Sequence, residues 1–169
     1  MSTDHNQFMA LALEEARTGL GAGERPFGSV VVSNGKVVGR GRNLVNSTKD
    51  PTAHAETLAI RDASKNLNDS RLTGSIVYTT CEPCPMCCGA ILWAGVDTLV
   101  IGTSYASIRQ LSKGALDLRD YNARRLVELT GFKLNIVSGV MASECDAIYR
   151  DWQGWAGYPR PGGPHGKAD

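Results

Sequence analysis

Two short stretches constrain this chain more than anything else in it. "PTAHAE", residues 51–56, and "PCPMC", residues 83–87, each put metal-binding side chains at the start of a predicted helix. Cys84 and Cys87 stand at i and i+3, so one helix face presents both sulfurs. A helix start carries partial positive charge, which favours thiolate over thiol. His54 and Glu56 are two positions apart, about 200° around a regular helix. In a first turn that matters less, because side chains lean toward the N-terminal end and can reach a common point beyond it. A fold that serves both stretches must bring two helix starts, near residues 52 and 83, to one place. Sulfur with imidazole selects zinc, at about 2.3 Å to sulfur and about 2.0 Å to nitrogen. His54, Cys84 and Cys87 fill three of the four positions of such an ion and leave one for water. Glu56 is the nearby carboxylate that can move that water's proton.

Around these stretches helix and strand alternate. Asp4 is a fair N-cap, and Phe8, Leu11, Ala12 and Ala16 recur at helical spacing until Gly19, Gly21 and Gly23 end the run. Strands over 29–32 and 37–41 flank Asn34-Gly35, a strong hairpin signal. A loop is expected over 42–49, then a helix from Asp50-Pro51-Thr52 to about residue 66. "SIVYTT" reads as a buried strand, a helix opens at Pro83 and stops at Gly95, and "TLVIG" follows as a parallel strand. "YNARRLVELTG" reads as a helix, "FKLNIV" as a strand, and 143–154 as a last helix. The pattern predicts a three-layer α/β/α sandwich with one mixed five-stranded sheet. A single domain over residues 1–156 carries it. The tail 157–169, rich in Gly and Pro, is expected to be mobile unless Tyr158 pins it.

Composition excludes several classes. Hydrophobic residues make up 42% and charged residues 21%, enough for one core and too apolar for disorder. Lys and Arg number 18 against 17 acidic residues, a net charge of +1, so no strong basic field points to nucleic acid. Cys81, Cys84, Cys87 and Cys88 crowd into one segment, which suits metal in a reducing compartment better than a spread disulfide framework. "MSTDHNQFMALALEEA" has no signal-peptide pattern, and no apolar run approaches membrane length. A cytoplasmic protein with no membrane partner is expected.

The joined pattern H-x-E…P-C-x-x-C is the signature of zinc deaminases. "HAE" at 54–56 and "PCPMC" at 83–87 resemble the cytidine deaminase-like superfamily. "DPTAHAE", "CEPCPMC" and "GAILWA" look like bacterial guanine deaminases, and much of this also resembles tRNA adenosine deaminases. "RPFGSVVV" and the later "GRN" are similar to the family's first hairpin and substrate loop, so that the likeness runs over about residues 5–155.

The resemblance implies a zinc cofactor, a homodimer, and a hydrolytic reaction in which water adds to the ring carbon bearing an amino group. Glu56 would move the protons, and the backbone N–H groups at Ala55 and Cys84 would orient the reactants. Asn43 matches the family's substrate-binding asparagine. Phe27 is either a pocket wall or a core aromatic, and Trp152, with Trp155 and Tyr158, either closes the pocket or packs in a core or dimer contact. Cys81 can close the zinc site as a fourth ligand or line the core, and the guanine deaminase pattern favours the core. Cys88 and Cys145 read as core residues. The region after the fourth strand, "TSYASIRQLSKGALDLRDYNARR", carries neither the Phe-Asp-Asp segment of guanine deaminases nor the Gly-Ala-Ala-Gly segment of tRNA enzymes. Glu144, Asp117 and Asp151 are open as readers of the substrate. With little net charge, the expected substrate is a free nucleobase or a related amino-heterocycle such as guanine, cytosine or a triazine, with nucleic acid an unlikely partner. A tRNA adenosine deaminase is the alternative enzyme, and a zinc-stabilised binding module the alternative outside enzymes.

Overall fold

The computed structural model describes residues 4–158. Helix α1, His5–Gly21, starts where Asp4 accepts the Asn6 N–H at 3.1 Å. The hairpin follows as β1, Gly28–Ser33, and β2, Lys36–Arg42. Asn34 and Gly35 both take positive φ, as a type I′ turn requires. Next come α2, Val45–Thr48; α3, Ala55–Leu67; β3, Ser75–Cys81; and α4, Pro85–Ala94. The second half holds β4, Thr98–Thr103; α5, Tyr105–Leu111; α6, Ala123–Thr130; β5, Asn135–Ser138; α7, Ala142–Asp151; and a 3-10 turn, Gln153–Gly157.

The strands form one mixed sheet in the order β2-β1-β3-β4-β5. β1 is antiparallel to β2 and β3, whereas β3, β4 and β5 are parallel. Side chains alternate across it. Val30, Val32, Tyr78 and Val100 meet Phe8, Met9 and Leu13 of α1, Ile108 of α5 and Tyr149 of α7. Val31, Val77, Leu99 and Ile101 meet Ala59 and Ala63 of α3, Ile91 of α4 and Ala123 of α6. Burial on both faces is why the central strands read as unbroken apolar runs, and it produces the expected α/β/α sandwich. Each fully buried Val, Leu or Ile contributes roughly 1.5–3 kcal/mol.

This topology brings functional segments to one edge. β2, β3 and β4 end there, β1 begins there, and α3 and α4 start there. Two glycines of β2 set the height of α3. A Cβ at Gly41 would collide with the backbone of Ala55 and Ala59, and one at Gly39 with Ala59 and Ala63.

Several elements differ from the sequence-based expectation. α3 begins at Ala55, not near residue 52, and α4 at Pro85, not Pro83. His54 and Cys84 are themselves the N-caps, in extended conformation, so Pro51 and Pro83 belong to the turns leading in. The expected loop over 42–49 contains α2, and α5 was not foreseen. The last helix stops at Asp151, so Trp152 and Trp155 do not share one regular helix. Tyr158 is held in place, its ring 5.3 Å from that of Trp155, and the tail from residue 159 lies outside the described residues. Among the described residues, no helix is long and apolar enough to cross a membrane.

Candidate active site

His54, Cys84 and Cys87 meet at the shared edge, their donor atoms all within 4.8 Å of one another. Cys84 Sγ lies 3.6 Å from His54 Nδ1. Tetrahedral zinc with ordinary bond lengths places a sulfur and a nitrogen ligand about 3.5 Å apart, so this edge already has the right length. Among the described residues no other such cluster of His, Cys, Asp and Glu forms. Cys81 stays outside it: the side chain is buried in the core, and burial pushes its thiol well up. Cys88 and Cys145 are core residues too, as expected.

The two ligand sulfurs act on each other. A hydrogen bond from Cys87 pulls Cys84 down from the usual thiol range, against the effect of burial and with help from His54. The same bond, together with burial, pushes Cys87 up. The environment favours thiolate at Cys84, and a metal at this place would need both sulfurs deprotonated. Burial works to lower His54, but its hydrogen bond with Cys84 and the charges of Glu56 and Cys84 outweigh that and leave it raised. Thr57 Oγ1, on α3, lies 3.4 Å from Cys87 Sγ and steadies the buried sulfur. These donors fit zinc: two soft sulfurs and an imidazole on two helix starts, three ligands for an ion that takes four. Bound there, zinc supplies a Lewis acid that activates water near neutral pH.

Glu56 stands in the first turn of α3 and is only 6% exposed. Thr79 Oγ1, on β3, lies within donating distance of both Glu56 Oε1, at 3.2 Å, and the Cys81 carbonyl, at 2.9 Å. Burial, and then the charge on Cys84, raises the Glu56 carboxyl above its ordinary value. A buried carboxyl with a raised pKa suits a group that must both accept and return a proton.

The remaining candidates are distributed around this centre. Asn43, 2% exposed, follows the end of β2; its Oδ1 accepts the Val45 N–H at 3.1 Å, and its own backbone N–H donates to Phe27. Ala55 is the first residue of α3, and its cap residue His54 makes no side-chain cap bond, which leaves the helix-start N–H groups available. The half-buried ring of Phe27 lies 5.4 Å from Tyr149, so it is chiefly a core aromatic. Trp152 meets Trp155 edge-on at 4.6 Å and Tyr158 at 6.0 Å, so the three rings form an aromatic cluster of their own. Asp117 pairs with Arg109 at 3.2 Å, whereas Glu144 and Asp151 are exposed.

Two buried carboxylates escaped the sequence reading. Glu24 accepts the N–H groups of Asn46 and Ser47 and so holds α2, the element just after Asn43. Glu82 accepts the N–H groups of Tyr105 and Ala123, at 2.8 Å each, joining the approach to Cys84 to the starts of α5 and α6. No spacing rule reveals either, because their partners are more than twenty residues away.

Residues 2–103 match the family model for the cytidine and deoxycytidylate deaminase zinc-binding region. The chain belongs to that deaminase family. Zinc is the deaminase's cofactor, and its chemistry is hydrolytic removal of an amino group. The deaminase is 41% identical over 147 residues to a chloroplastic tRNA(adenine(34)) deaminase of Arabidopsis thaliana; the match covers 82% of this chain but 11% of that longer protein. It is 35% identical to a tRNA-specific adenosine deaminase of Buchnera aphidicola subsp. Schizaphis graminum, over 87% of this chain and 92% of the relative. Against guanine deaminase of Bacillus subtilis the identity is 49%, over 54% of this chain and 59% of that enzyme. A structure solved in a study of A-to-I editing by tRNA:A34 deaminases at the wobble position of transfer RNA superposes with a TM-score of 0.72. That pair is 34% identical, over 85% of this chain and 99% of the other.

Proposed function

We propose that this deaminase converts adenosine to inosine at the wobble position of tRNA. The observation that carries the reading is the reach of the likeness. It spans 87% of this chain and 92% of the Buchnera tRNA-specific enzyme, while the likeness to guanine deaminase, higher in identity, takes in 54% of this chain and 59% of that enzyme. The expectation of a free nucleobase gives way as the leading reading, and with it the expectation that nucleic acid is an unlikely partner. A net charge of +1 sums the whole surface and is blind to where single charges stand.

In this reading His54, Cys84 and Cys87 hold the zinc. Glu56 takes a proton from the attacking water and gives it to the ring nitrogen beside the reacting carbon. It then carries the second water proton to the amino group, which leaves as ammonia. Adenosine and water thus give inosine and ammonia. Thr79 keeps Glu56 oriented through the 3.2 Å contact. Asn43, its Oδ1 already engaged by Val45, turns its amide NH₂ toward the base, and the N–H groups at Ala55 and Cys84 orient the reacting atoms.

A second reading, guanine deamination, rests on the 49% identity to the Bacillus enzyme. One experiment separates the two. Zinc-loaded protein incubated with an anticodon stem-loop bearing a wobble adenosine should yield inosine and ammonia. Glu56→Ala should keep zinc and lose roughly 10²–10⁴-fold in turnover. Turnover of guanine with no inosine in the stem-loop overturns the tRNA reading.

A further inference from the structure

Arg25 lies on the segment that leads into β1, half-buried, with its guanidinium 4.8 Å over the ring of Tyr158. Tyr158 is itself braced by Trp155 and Trp152. Residues on both sides of Arg25 are tied to the substrate loop. Glu24 holds Asn46 and Ser47, and the Phe27 carbonyl accepts the Asn43 N–H at 3.0 Å. The Leu44 N–H then bonds to Ala53, the residue before the zinc ligand His54. The guanidinium therefore stands at the rim of the zinc pocket, beside the loop that carries Asn43.

Its charge has no ion-pair partner among the described residues, where ion pairs form at Arg40, Arg42 and Arg109. The adjacent carboxylate, Glu24, has both oxygens engaged by α2. A guanidinium over an aromatic face still has N–H groups to offer a further acceptor, and its planar fork matches a phosphate through two parallel hydrogen bonds. A free base brings no phosphate to this rim, but an RNA strand brings one on each side of the target nucleoside.

We propose that Arg25, braced on Tyr158, holds a backbone phosphate next to the adenosine being deaminated, and so selects an RNA strand over a free base. This rests on the tRNA reading above. The test is the salt dependence of KM for the anticodon stem-loop, measured with zinc-loaded full-length protein. Arg25→Ala should raise KM about tenfold at low salt with kcat and zinc content unchanged. It should also flatten the log KM against log salt slope by about 0.7 to 1, the loss of one phosphate contact. Arg25→Gln, polar but uncharged, should flatten it equally, whereas Arg25→Lys should keep the slope. If Arg25→Ala and Arg25→Gln leave both slope and KM unchanged while the stem-loop is turned over, the phosphate contact is wrong and the tRNA reading stands. A fall in kcat with an unchanged slope also overturns the contact, making Arg25 a positioning residue of the zinc pocket. A wild-type protein that deaminates guanine and leaves the stem-loop untouched removes both.

Discussion

The segment up to Thr103 and the segment after it share one sheet but are held together differently. In the first, β1, β3 and β4 are buried almost end to end, and α3 sits on β2 at a distance only glycine allows. In the second, β5 has four residues with one buried, and α6 buries only Ala123. Its α5 and α7 bury Ile108, Cys145 and Tyr149 in the core, and polar links add to them: Glu82 receives the starts of α5 and α6, Tyr121 donates to the Pro83 carbonyl at 2.9 Å, and Thr103 donates to Asp146 at 2.7 Å. The family model ends where the dry half ends, at Thr103. The physical lesson is that metal ligation and proton transfer tolerate errors of tenths of an ångström, so they sit on close-packed elements.

The largest expected effect breaks the first half alone. Cys84→Ser should bind less than a tenth of the zinc held by the native protein and lose measurable deamination, read by metal analysis and ammonia release, because a serine hydroxyl is a poor substitute for a thiolate. Full zinc content in that variant would mean that another residue closes the site. Next in size, Glu82→Ala strikes the joint between the halves. It leaves two largely buried N–H groups without acceptors, at a cost of about 1–3 kcal/mol each. Thermal unfolding should shift down accordingly. An unchanged midpoint would show that the second half is attached by other means.

How much of this could be read in advance follows the same division. The paired motifs, the Asn34-Gly35 hairpin and the parallel strands are local patterns, and each stands in the structure close to where spacing put it. The helix starts were missed by two or three residues because His54 and Cys84 cap without side-chain hydrogen bonds. Sequence reasoning looks for Ser, Thr, Asp or Asn in that role, and Pro51 and Pro83 drew the starts forward. Helix α5 has seven residues, two of them buried, too short for a periodic signal. Glu24, Glu82 and the Arg25–Tyr158 stack join residues far apart in the chain, and no single-sequence periodicity reports such pairs.

Smaller effects sharpen the comparison. Asn43→Ala should raise KM or lower kcat by roughly tenfold while zinc stays bound, since the proposed role gives Asn43 one hydrogen bond to the base. Loss of zinc instead would assign Asn43 to the scaffold of the site. Tyr121→Phe removes only the hydroxyl that reaches Pro83. It should cost about 0.5–1.5 kcal/mol, a midpoint lower by roughly 2–4 °C per kcal/mol, with the zinc content unchanged. A drop in zinc content would show that the second half also sets the metal geometry.

The account stands most directly on a competition. Zinc-loaded protein is given equal concentrations of guanine and of an anticodon stem-loop with a wobble adenosine, and xanthine and inosine are quantified from the same tube. The account predicts inosine in large excess at low salt, falling steeply as salt rises because phosphate contacts weaken. Xanthine in excess at every salt concentration would contradict it and return the enzyme to free bases.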